Sequence, residues 1–192
     1  MKIALCGFEG VGKSFLTEEF HKKDFFKVKE SARFLINLKN SGLLDKNNLS
    51  MSAFISNLKS LETTYDNNIE NAIFDRSILD DFVYLNIYGN QKIELKTFQK
   101  IVDNFKEKHN CDYIYDKIIL LKHSKDANHI KKNVLTDKER IYGKDVDQYK
   151  EVSHAWEKKF LKSSKKIKGL TKELKVIESY PDNVDLIKSI LG

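Results

Sequence analysis

Residues 7–16 read GFEGVGKSFL and follow the apolar run KIALC at residues 2–6. Gly7, Gly12, Lys13 and Ser14 fit the spacing G-x-x-x-x-G-K-[ST] of a phosphate-binding P-loop. Such a loop needs a strand before it and a helix after it. KIALC reads as a buried strand, and Lys13 to His21 reads as a helix with Phe15, Leu16 and Phe20 at helical spacing. The backbone N–H groups of residues 9–14 can then converge on a β-phosphate, because glycine tolerates the dihedrals and the helix N-terminus adds partial positive charge. Gly7, Gly10, Val11, Gly12, Lys13, Ser14 and Phe15 form the candidate ATP-binding set, with Lys13 reaching the β- and γ-phosphates and the Ser14 hydroxyl ligating Mg²⁺.

The chain of 192 residues is long enough to bury a core and is expected to form a single domain, 1–192. It contains no apolar run of about 18 residues, so no membrane span is expected, and polar loop residues arrive before a signal peptide's apolar region could be completed. Cys6 and Cys111 stand without C-x-x-C or histidine spacing, which suggests neither disulfide nor zinc and points to a reducing cytoplasm. The five histidines likewise show no metal spacing. A net charge of +6 suits an anionic ligand, although lysine also serves solubility. Only three of the 34 cationic side chains are arginine: Arg33, Arg76 and Arg140. A chain that otherwise writes lysine is expected to use arginine where a planar bidentate fork is needed, so these three positions become candidates.

Beyond this loop and helix, strands are expected at Phe25–Lys29, Asn71–Asp75, 115–121 (YDKIILL) and 173–179 (ELKVIES). Helices are expected around Phe34, Leu35 and Leu38, from Leu49 to Tyr65, from Ser77 to Tyr88 with Gly89-Asn90 closing it, across Leu95–Phe105, along Val146–Phe160, and from Asn183 to Leu191 after Pro181. The wholly apolar centre of YDKIILL fits an interior parallel strand. Strands alternating with helices predict a three-layer α/β/α fold of the P-loop kinase kind, its five parallel strands in the order 2-3-1-4-5. The polar, basic segment 122–147 has no clear periodicity and is expected to be a lid. Aromatic stripes read as core, with Tyr65 and Phe54 as candidates to flank a base. The lysine run 158–175 reads as a solvated surface rather than a nucleic-acid patch.

The segment NAIFDRSILDDFVYL, 71–85, resembles the strand-then-DR[YST] segment of thymidylate kinases and deoxynucleoside kinases, and is similar to small P-loop kinases of the ribosylnicotinamide-kinase type. The resemblance implies that Arg76 touches the acceptor's phosphate or 5′-oxygen. The position of Asp75 at a strand end suits a carboxylate beside the metal; alone it would read as a helix cap or turn aspartate, and the adjacent Arg76-Ser77 changes that balance. Glu30, in KVKESARFL, stands where deoxynucleoside kinases carry a glutamate base; the proline and glycine of the thymidylate kinase segment are missing, and Glu30 reads as well as a first-turn helix acid. Arg33 lies one turn along. Glu9 is similar to the loop aspartate with which thymidylate kinases meet the acceptor sugar, and is otherwise a solvent-facing acid. Arg140 is the candidate lid arginine that closes over the transferring phosphoryl group.

The expected activity is therefore Mg²⁺-dependent transfer from ATP to a nucleoside or nucleoside monophosphate, in which Lys13, Glu30, Arg76 and Arg140 carry catalysis, Glu9, Glu30, Arg33 and Arg76 bind the acceptor, and Ser14 and Asp75 hold the metal. On sequence alone, Arg76→Lys is expected to raise the acceptor KM, as for a fork that holds a dianion; for a nucleoside acceptor the loss falls on turnover instead. Alternatives are a kinase acting on a polynucleotide hydroxyl or another small metabolite, and a nucleotide-dependent switch or ATPase with no small acceptor. A homodimer is compatible with all of these.

Overall fold

The computed structural model describes residues 1–29, 35, 49–123, 128, 130, 135 and 145–177. The expected helix around Phe34, Leu35 and Leu38, the closing helix at 183–191, most of the 122–147 segment, and the candidates Glu30, Arg33 and Arg140 fall outside this set, apart from Leu35 itself. Within it the order is β1 (Lys2–Cys6), α1 (Lys13–His21), β2 (Phe26–Val28), α2 (Leu49–Asp66), β3 (Ala72–Asp75), α3 (Ile78–Tyr88), α4 (Leu95–His109), β4 (Tyr115–Leu121), α5 (Val146–Ser164) and β5 (Thr171–Ile177).

The strands form one five-stranded sheet in the order β2-β3-β1-β4-β5, and every pairing is parallel. β1 lies at its centre, with Leu5 opposite Asp75 of β3 on one side and Ile119 of β4 on the other. Alternation along β1 sorts its side chains onto two faces. Ile3 and Leu5 join Leu16 and Phe20 of α1, while Ala4 and Cys6 join the larger core built with α2, α3, α4 and α5. Helices thus cover both faces of the sheet, as the expected three-layer architecture requires.

Local chemistry explains the boundaries. α4 buries Phe98, Val102 and Phe105 on one stripe and ends in Asn110, whose φ of 47° is the left-handed C-cap conformation. α5 starts where the Asp145 carboxylate accepts a hydrogen bond from the Gln148 N–H at 2.8 Å. Val146 and Asp147, expected at the end of the lid segment, are therefore the first turn of this helix. β2 is shorter than expected because Phe25 turns back onto Phe20, ring against ring at 5.3 Å. β5 begins two residues earlier than expected: its register sets Thr171 opposite Tyr115 and Ile177 opposite Leu121, so polar Thr171 and Lys172 begin an edge strand that needs no unbroken apolar run. Phe54 is buried against Phe98, and the Tyr65 hydroxyl donates to the Ile114 carbonyl at 2.7 Å, at the amino end of β4. Tyr65 is therefore set away from the carboxyl edge of the sheet, where a base would lie.

Candidate active site

The loop between β1 and α1 leaves the carboxyl edge of the central strand and turns on glycines. Gly7 has φ +147°, and a β-carbon there would lie 2.5 Å from the Leu121 carbonyl oxygen and 2.7 Å from the Val11 side chain. Gly7→Ala should cost roughly 2–4 kcal/mol, since strain and overpacking add at one position. Thermal unfolding checks this, and an unchanged melting temperature would contradict the close approach. Gly12, at φ 89°, is the left-handed N-cap of α1 and brings no side chain to the helix end, whose first turn carries no acid. Such an end suits an anion.

Lys13 is 5% exposed, and its ammonium donates to the carbonyls of Gly7 at 2.8 Å and Phe8 at 3.0 Å. The charge is thereby held inside the turn. Ser14 is exposed, and its hydroxyl donates to the Asp75 carboxylate at 2.8 Å, joining α1 to the end of β3. Val11 packs into the core shared with α1, whereas Phe15, in the first turn of α1, is 46% exposed. Gly10 is exposed at the tip, with φ 80°.

Asp75 and Arg76 follow one another at the β3 exit and are both buried. Arg76 has φ 109°, a conformation that L-residues adopt rarely and that clusters at functional sites. The bend sends its guanidinium over the Tyr84 ring, 4.7 Å from the centroid, with one nitrogen 3.9 Å from the Asp80 carboxylate. Burial pushes the Tyr84 hydroxyl well above the usual tyrosine pKa, the Arg76 charge opposes that rise, and the Glu9 charge adds to it. Glu9 and Arg76, both singled out as acceptor candidates, therefore act on one enclosed hydroxyl.

Asp80, Tyr84 and Tyr149 were not singled out by sequence. Ser77 caps α3 in a reciprocal box with Asp80, a pattern visible as S-x-x-D in the sequence. Asp80 also accepts from the Gly7 N–H at 3.2 Å, and the Cys6 thiol, raised well above its usual pKa chiefly by burial, lies 3.1 Å from the Ser77 hydroxyl. From α5, the Tyr149 hydroxyl donates to the Glu9 carbonyl at 2.6 Å. Phe8 sits beneath, stacked on Tyr84 at 6.0 Å and tilted against Tyr149 and Trp156. At the end of β4, both the backbone N–H and Nδ1 of His123 approach Glu157 of α5, at 2.9 and 2.7 Å.

Among the described residues no cluster of three His, Cys, Asp or Glu side chains could cage a metal, and no helix is long and apolar enough to cross a membrane. Mg²⁺ does not require such a cage. It takes hard oxygen donors, retains waters and shares phosphate oxygens, and a hydroxyl and a carboxylate in mutual contact, as in Ser14 and Asp75, fit that donor set.

Solved structures share this fold. Deoxyadenosine kinase from M. mycoides with bound dATP is 23% identical with a TM-score of 0.58; the same enzyme with the products dCMP and a flexible dCDP is 20% identical at 0.63, and with bound dCTP 19% identical at 0.56. Each alignment covers 100% of this chain and 98% of that one. No curated protein matches the sequence. The AAA domain family model matches residues 2–163, which contain the loop, Asp75, Arg76 and Tyr149, and this chain belongs to that family.

Proposed function

We propose that this protein is a kinase that transfers the γ-phosphoryl group of ATP to the 5′-hydroxyl of a deoxynucleoside. The carrying observation is the 2.8 Å bond from Ser14 to Asp75, which joins the candidate donor loop to the strand end that bears Arg76. Donor phosphates and acceptor are thereby directed to one carboxyl edge of the sheet, where open α/β folds bind ligands. The fold shared with deoxyadenosine kinase supports this acceptor class, and so does the pairing of Arg76 with Asp80. A guanidinium already facing a buried carboxylate suits orientation of a neutral hydroxyl better than capture of a dianion.

In this reading the loop amides and the α1 N-terminus hold the β-phosphate, and Lys13 leaves its two carbonyls for the β- and γ-phosphates. Ser14 and Asp75 would hold Mg²⁺, which supplies neutralisation of phosphate charge. Arg76 orients the acceptor 5′-oxygen. As the new bond from that oxygen to the γ-phosphorus forms, the bond to the β,γ-bridging oxygen breaks and ADP leaves; the hydroxyl proton passes to the proposed base, Glu30. Asp75, occupied with Ser14, is the weaker choice of base. Arg33 near the acceptor and Arg140 in a lid within 122–144, ahead of the α5 cap, complete the proposal on sequence grounds.

Incubation with γ-labelled ATP and separate sets of deoxynucleosides, nucleoside monophosphates and 5′-hydroxyl oligonucleotides tests it. Label is expected on a deoxynucleoside. Release of ADP and free phosphate alone, whatever the acceptor, would replace the kinase by a nucleotide-dependent switch or ATPase.

A further inference from the structure

We infer that Asp80 is a positioning residue that locks the donor loop and Arg76 into one geometry, an inference that rests on the kinase reading above. Its carboxylate is fully buried and its two oxygens face different structures. Oδ2 accepts from the Ser77 N–H at 3.0 Å and the Ser77 hydroxyl at 2.8 Å, which is the helix cap. Oδ1 accepts from the Gly7 N–H at 3.2 Å and lies 3.9 Å from the Arg76 guanidinium. Capping α3 needs only the first oxygen, and an exposed acid would cap equally well without the desolvation cost of a buried charge. The second oxygen spans the gap between the first residue of the loop and the arginine. Arg76 meets it through a backbone bend at φ 109°, so the chain accepts local strain to make this contact. The Cys6 thiol, at the end of β1, reaches the same group through Ser77, so the exits of β1 and β3 share one carboxylate.

Asp80→Asn is the informative variant. Its carboxamide is nearly isosteric but has one accepting oxygen, so either the Gly7 N–H or the Ser77 pair must face an NH₂ group. Per folded molecule, the ATP KM should rise about tenfold and kcat fall about tenfold, as expected for losing a charged hydrogen bond. Exchange of the Gly7 amide, followed by NMR without nucleotide, should accelerate at least about tenfold. A lower melting temperature with ATP KM, kcat per folded molecule and Gly7 exchange all unchanged would reduce Asp80 to a helix cap and overturn the inference. If the wild-type protein transfers no label, the kinase reading fails by itself, and Gly7 exchange alone decides whether Asp80 holds the loop: acceleration supports it, unchanged exchange overturns it. If Asp80→Asn does not fold, Asp80→Glu keeps the charge but moves both oxygens by a methylene, and the same measurements with the same expected directions apply.

Discussion

Lys13→Ala should lower phosphoryl transfer by about a hundred- to a thousandfold, the scale seen when one preorganised donor to developing charge is removed. The fold should survive. Lys13 is the first residue of α1, its ammonium donates to two loop carbonyls, and Leu16 and Phe20 of the same helix carry the packing against β1. Removing the ammonium withdraws a donor from the carbonyls of Gly7 and Phe8, a loss of about 1–2 kcal/mol that an unfolding curve would register as a shift of a few degrees. Measured together, retained melting and lost transfer support Lys13 as the phosphate ligand. Retained transfer would remove the loop from the donor site.

Arg76→Lys should lower kcat about ten- to a hundredfold while the acceptor KM moves only a few-fold. Sequence alone gave the opposite emphasis, a raised acceptor KM, because an isolated arginine in a lysine-rich chain reads as a fork for a dianion. The surroundings change that expectation. The guanidinium lies over the Tyr84 ring and faces Asp80, so much of its charge is already answered, and what lysine cannot reproduce is its planar fork and its aim. A large rise in acceptor KM with kcat unchanged would return the monophosphate as acceptor.

The parts of this molecule that are legible in sequence are those encoded locally. Gly7, Gly12, Lys13 and Ser14 announce the loop by spacing, and the apolar centre of YDKIILL announces an interior strand whose bounds match the observed Tyr115–Leu121. Strand order followed from the alternation of elements around the loop. The place of Asp75 at the end of a strand beside Arg76 was legible as well, whereas its bond from Ser14 is set by tertiary packing. Asp80 was missed because an acid in the first turn of a helix is ordinary, and nothing in its neighbourhood along the chain indicates that Gly7 lies opposite. Tyr84 and Tyr149 were missed for a related reason: each sits on an apolar stripe, where the ring explains the position and the hydroxyl's partner is specified only by tertiary packing. The start of β5 was misplaced because edge strands carry polar residues that periodicity discounts.

The contact from Tyr149 to Glu9 joins residues 140 positions apart, and the one from Asp80 to Gly7 spans 73. During synthesis the glycine turn therefore emerges well before the two partners that complete it, Asp80 of α3 and Tyr149 of α5. Parallel strands joined by long crossovers close slowly, since loop entropy must be overcome before non-local contacts repay it. A ligand that binds only the folded loop would add its stabilisation after these contacts have formed. The turn is thus written locally in the sequence but finished by contacts made much later in synthesis.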